Sequence, residues 1–172
     1  MKAVFAALNR LVADGVIEDY AIGGAIAAAS YIEALQTEDV DAFVFLPETA
    51  SGGLVSLSPI YAALVALGGI PGGEHVRFGE WPLQILTDAN PLVREAIRAA
   101  RQVDYEGTPT RVFRAEHLCA IALQTGRAKD YLRVEMFLSA RKVDLSTLAE
   151  LCDRYGLDRR LEKARRLHDG EG

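Results

Sequence analysis

Between positions 37 and 46 the chain reads Thr37-Glu38-Asp39-Val40-Asp41-Ala42-Phe43-Val44-Phe45-Leu46, two carboxylates one residue apart at the head of an apolar run. Val40, Phe43, Val44, Phe45 and Leu46 favour a strand with a buried body over 40–46. Residues i and i+2 of a strand point to the same face, so Asp39 and Asp41 reach one place in space. A strand of this kind is central to its sheet and opens to solvent at its acidic end. Upstream, Ile22-Gly23-Gly24-Ala25 ends a short strand in a diglycine turn and enters an alanine-rich helix.

Hard divalent cations such as Mg²⁺ take oxygen ligands and are held by one or two carboxylates together with substrate phosphates. Asp39 and Asp41 are therefore candidate metal ligands. Gly23 and Gly24 suit either a close backbone approach to a phosphate or tight packing of a helix on a strand, and the helix that follows directs its first N–H groups toward an anion. Thr37 either holds the loop before the strand or orients Asp39 through its hydroxyl. A second cluster lies at Gly126-Arg127-Ala128-Lys129-Asp130-Tyr131-Leu132-Arg133, with Lys129 and Arg133 one helical turn apart. It serves either to neutralise a polyphosphate or as a solvated helix face with Asp130 paired to Arg127 or Arg133.

At 172 residues, half hydrophobic and a quarter charged, the chain has the size and balance of one globular domain. A formal net charge of −5 argues against a general polyanion-binding surface. No apolar run is long enough for a membrane span and no signal segment opens the chain, so a cytoplasmic protein is expected. Cys119 and Cys152 read as buried free thiols. His75, His117 and His168 lack the spacing of a metal site.

Periodicity and punctuation predict a helix over 1–13, a strand over 20–22, a helix over 25–34, the acid-bearing strand over 40–46 and a loop over 47–53. Ser58-Pro59 opens a helix to 67. Strands follow at 74–78 and 82–87 around a Gly79-Glu80 hairpin, then a helix from Asn90-Pro91 to 102 and an edge strand at 108–113. The remainder is helical over 114–124, 129–141, 145–155 and 157–167. The expected fold is α/β (α+β): a mixed sheet of four or five strands flanked by helices over 1–113, and a helical region over 114–172 packed on it.

With these motifs in place, the chain resembles the nucleotidyltransferase fold of the polymerase-beta-like superfamily: a diglycine turn before a short helix, then an acid-x-acid pair on the next strand. The block from Arg114 to Asp130 resembles the helical region of abortive-infection-type nucleotidyltransferase-like toxins. The resemblance implies a nucleoside triphosphate bound with Mg²⁺ and transfer of a nucleotidyl group to a hydroxyl on a protein, RNA or small molecule. Asp39 and Asp41 would hold the metal, Gly23, Gly24 and Thr37 would position the nucleotide, and Arg127 and Lys129 would neutralise it. The family's third carboxylate falls at Gln84, and a lysine often found in the preceding helix falls at Ala122. Glutamine cannot act as an anionic ligand or base, and Glu80 lies roughly 13 Å from Gln84 by strand rise. The alternative implied is an inactive member acting as a regulatory or toxin-antitoxin-type partner, and a third is an interaction module docking through its helical tail.

Overall fold

The protein is described by a computed structural model covering residues 1–33, 37, 39–47, 56–88 and 90–170. Its centre is a seven-stranded mixed sheet in the order β3-β4-β5-β2-β1-β7-β6. The strands are β1 (Asp19–Ile22), β2 (Val40–Phe45), β3 (Ile70–Gly72), β4 (His75–Phe78), β5 (Trp81–Thr87), β6 (Arg101–Tyr105) and β7 (Thr108–Val112). The acid-bearing strand β2 is the middle one, parallel to β5 and antiparallel to β1. Its burial alternates strictly: Val40, Ala42 and Val44 are fully buried, while Asp41, Phe43 and Phe45 face a less enclosed side.

The register carries that alternation across the sheet. Val40 lies opposite Leu83, which lies opposite Val76, and all three are buried. Helix α3 (Ser58–Ala66), contacting β4, and α1 (Lys2–Ala13), contacting α3, stand nearby. One residue along the register, Asp41 lies opposite Gln84 and Gln84 opposite His75. Helices α2 (Gly24–Ala28), α4 (Pro91–Ala99) and α5 (Ala115–Thr125) pack together, with α2 and α4 also against β2. Arg98 of α4 lies over the Phe45 ring. Beyond α5, the helices α6 (Ala128–Ser139), α7 (Leu145–Arg154) and α8 (Asp158–His168) pack on it and on one another.

Three differences from the sequence expectation concern the sheet and its neighbours. The helix expected to reach residue 102 ends at Ala99, and Arg101–Tyr105 form β6. Glu106 and Gly107, both at positive φ, close a two-residue hairpin that pairs Tyr105 with Thr108. Ile70–Gly72, which lie between the expected helix to 67 and the expected strand at 74–78, form the edge strand β3, because pairing with β4 overrides weak glycine propensity. The sheet thus has seven strands. Helix α2 is shorter than 25–34: it ends at Ala28, and the chain bends so that Ile32 is buried and the Tyr31 hydroxyl donates to the Phe113 carbonyl at 2.9 Å. The end of that expected helix at Ala34 and most of the loop expected over 47–53 lie outside the described residues. Among the described residues no helix is long and apolar enough to cross a membrane.

Candidate nucleotide and metal cleft

A cleft of about 1160 Å³ opens over the acid-bearing end of β2. The sheet supplies its floor through Asp41, Phe43, Gln84 and Leu86, Asp39 lies on the chain just before β2, and α5 supplies an apolar wall through Leu118, Ile121 and Ala122. The α5–α6 turn and the first turns of α6 bring Arg127, Lys129 and Arg133 to its rim. The volume exceeds that of an ordinary single-ligand pocket and leaves room for two reactants.

Asp39 and Asp41 line this one cleft. The Thr37 hydroxyl donates to Asp39 Oδ1 at 3.2 Å and to the Asp39 carbonyl at 3.1 Å, so it both orients the side chain and ties the loop. Among the described residues neither aspartate takes part in an ion pair. Burial pushes the Asp41 carboxyl above the ordinary aspartate range and the nearby Asp39 charge pushes it further, while Arg133 and His75 pull it back. Two unpaired acids crowding each other in a partly dehydrated cleft form a site of excess negative charge.

The two glycines do different work. Gly24, at φ +58°, lines the cleft, and a Cβ built there would overlap Asp41 Oδ2, so only glycine leaves the carboxylate its place. Gly23 is outside the lining. A Cβ there would overlap the Phe43 ring, which packs on Phe113 at 4.9 Å between centroids, and its N–H donates to the Asp41 carbonyl at 2.9 Å. Its N–H is thus committed to the backbone, and its missing side chain lets the Phe43 ring pack close.

The basic cluster also divides. Arg127 is held by Asp130, with Nε to Oδ2 at 2.7 Å and Nη2 to Oδ1 at 3.2 Å, and the Arg127 N–H donates to the same carboxylate. Asp130 thereby caps α6, and these bonds hold its carboxyl below the usual range despite opposing burial. Arg127's charge is largely matched by that pairing. Lys129 is exposed at the rim, and Arg133 Nε is buried without a hydrogen-bond partner among the described residues. Arg160 of α8 donates to the carbonyls of Leu123, at 2.6 Å, and Gln124, which fixes the turn at Gly126.

Two cleft residues escaped the sequence reading. His75 and Arg77, alternate residues of β4, both line the cleft. The signal was present: a two-residue turn at Gly79-Glu80 pairs Phe78 with Trp81, and counting back along that register sets His75 opposite Gln84. Glu80 belongs to this turn, outside β5.

No protein-family model matches the chain, and no curated protein matches it by sequence. Solved structures do match. An antigenic nucleotidyltransferase-like protein from Paracoccidioides brasiliensis superposes with a TM-score of 0.57 at 17% identity, covering 94% of this chain and 91% of that one. ANT(2″)-Ia in complex with adenylyl-2″-tobramycin superposes with a TM-score of 0.50 at 17% identity, covering 90% and 98%. The chain has a nucleotidyltransferase-like fold.

Proposed function

We propose that this protein binds a nucleoside triphosphate together with Mg²⁺ and transfers its nucleotidyl group to a hydroxyl acceptor. The observation that carries the reading is the unpaired Asp39 and Asp41 pair, crowded in a cleft where Gly24 is cleared of any side chain to admit the Asp41 carboxylate. The residues fit one hard cation: two adjacent carboxylates, with no cluster of three or more potential ligands among the described residues, leave further coordination to substrate phosphates. When bound, Mg²⁺ would neutralise phosphate charge and act as a Lewis acid at the phosphoryl group.

The chain's own contribution is position and charge. Thr37 holds Asp39, Lys129 and Arg133 face the polyphosphate, and Arg127 acts chiefly by fixing the turn that presents them. The Leu86, Leu118 and Ile121 surface offers an apolar bed for the base. Adenylyl-2″-tobramycin in the ANT(2″)-Ia structure is a nucleotidylated small molecule and favours a small-molecule hydroxyl among the acceptor classes.

A second reading, an inactive binder acting as a regulatory or toxin-antitoxin-type partner, is favoured by Gln84 beside Asp41 and by Ala122 on the cleft wall. Incubation with each of the four nucleoside triphosphates labelled at the α-phosphate, Mg²⁺ and a panel of sugars, aminoglycosides and RNA separates the two. Transfer of label with equimolar pyrophosphate supports the transferase. Nucleotide binding without pyrophosphate release supports the inactive binder.

A further inference from the structure

The cleft floor carries a lateral row on three adjacent strands, Asp41 on β2, Gln84 on β5 and His75 on β4, all lining the cleft. At about 4.8 Å per strand step, His75 and Asp41 stand roughly 10 Å apart along the row. Gln84 stands between them, and all three line the same cleft, so a substrate held over the row by Asp41 lies on the side His75 also lines. No ion pair joins His75 to either aspartate, and the residue is half-exposed. Its hairpin is held from outside, where the Tyr61 hydroxyl of α3 donates to the Glu74 carbonyl at 3.0 Å.

Proton transfer from a hydroxyl needs an acceptor that the metal and the phosphates do not occupy. Asp39 and Asp41 are committed to the cation, and Asp130 is bonded twice to the Arg127 guanidinium and once to its N–H. Arg77, Lys129 and Arg133 carry protons already. Gln84 is neutral and cannot accept one. Among the described cleft residues His75 is left, and a neutral imidazole offers one ring nitrogen as a proton acceptor. The charged groups that line the cleft with it are Asp39 just before β2, Asp41 of β2, Arg77 on its own strand, and Arg127, Lys129, Asp130 and Arg133 at and after the α5–α6 turn; Gln84 of β5 and Gly72 of β3 lie opposite it.

We infer that the His75 imidazole is the general base of this site, taking the proton of the acceptor hydroxyl as its oxygen attacks the α-phosphorus. The inference rests on the transferase reading. The new bond joins the acceptor oxygen to the α-phosphorus, the bond from that phosphorus to the oxygen bridging it to the β-phosphorus breaks, and pyrophosphate leaves with that oxygen and the electron pair. The proton passes to the imidazole and from its exposed edge to water.

The test compares the wild-type chain with His75→Ala and His75→Gln, using the four nucleoside triphosphates, Mg²⁺ and glycerol as hydroxyl acceptor. Pyrophosphate release is followed from pH 5.5 to 9.5, and nucleotide affinity is measured alongside by calorimetry. The wild-type rate rises with pH along an acid limb. Both variants lose about 10²-fold or more, the range a general base contributes, at nucleotide affinity within twofold. Added imidazole restores part of the His75→Ala rate in proportion to its unprotonated fraction. Variants that keep the rate or the acid limb, or that lose affinity in step with rate, overturn the assignment while the transferase reading stands. A wild-type chain that binds nucleotide without releasing pyrophosphate, or that binds none, overturns the transferase reading and the assignment with it.

Discussion

Gly24 and Asp41 occupy interlocking space, and that contact ties the diglycine turn to the acid pair more directly than their separation in sequence suggests. Gly24→Ala places a Cβ at positive φ, a backbone cost of about 1–2 kcal/mol, and displaces the carboxylate. The expected outcome is a lower Tm and loss of Mg²⁺-dependent nucleotide binding, read by thermal melts with and without Mg²⁺ and ATP. Asp41 itself is unfavourable to the apo fold. Its folded pKa is raised above the ordinary 3.8, so between the two values the folded state holds the extra proton and stability falls as pH rises. Without metal, Asp41→Asn therefore raises the Tm at pH 7, and the gain disappears below about pH 3.8 as both states protonate. A Tm that falls at pH 7 would show that the carboxylate is satisfied internally.

At the scale of elements, the joint between α4, α5 and α7 carries a second titrating group. His117 of α5 is buried with neither ring nitrogen hydrogen-bonded among the described residues, and its Nε2 lies 3.6 Å from Glu95 Oε1, too far for a hydrogen bond. Glu95 is engaged elsewhere, by Arg154 at 2.8 Å through both oxygens and by the Tyr155 hydroxyl at 2.6 Å. Burial holds the His117 imidazole below its usual range, with the Glu95 charge opposing. The unfolded chain then takes the proton first, so stability is lost as pH falls below about 6.5. His117→Leu removes that component: the drop in urea midpoint from pH 7.5 to pH 5.0 is smaller in the variant than in the wild type. An equal drop would contradict it.

The same scale shows what periodicity made legible. Amphipathic runs gave α1 and α4 to α8 to within a few residues because their apolar stripes are packed, and Val40–Phe45 followed from its alternation with β-branched and aromatic residues. The hidden elements depend on pairing. In Ile70–Gly72 the proline and glycine hide the one strand former, Ile70, and Arg101–Tyr105 follows α4 so closely that the helix pattern ran on through it. In the cleft, Asp39, Asp41 and Gly24 were readable as a local motif. His75 required the hairpin register to be counted through to Gln84, and the pairing of Arg127 with Asp130, which separates it from Lys129 and Arg133, is set by the cap of α6.

Across the whole molecule, a formal charge of −5 coexists with a cleft whose rim bears Arg77, Arg127, Lys129 and Arg133. On the proposed reading, cations gathered around one acid pair suit a compact polyanion accompanied by a metal better than an extended nucleic-acid backbone. Calorimetric titration with each nucleoside triphosphate, with and without Mg²⁺, tests that central claim most directly when the wild-type chain is set beside the Asp39→Asn/Asp41→Asn double variant. The predicted result is saturable binding of at least one nucleotide that depends on Mg²⁺ and is abolished in a double variant that still melts cooperatively. Nucleotide binding that survives the double substitution unchanged, or a wild-type chain that binds none of the four with Mg²⁺ present, would contradict it.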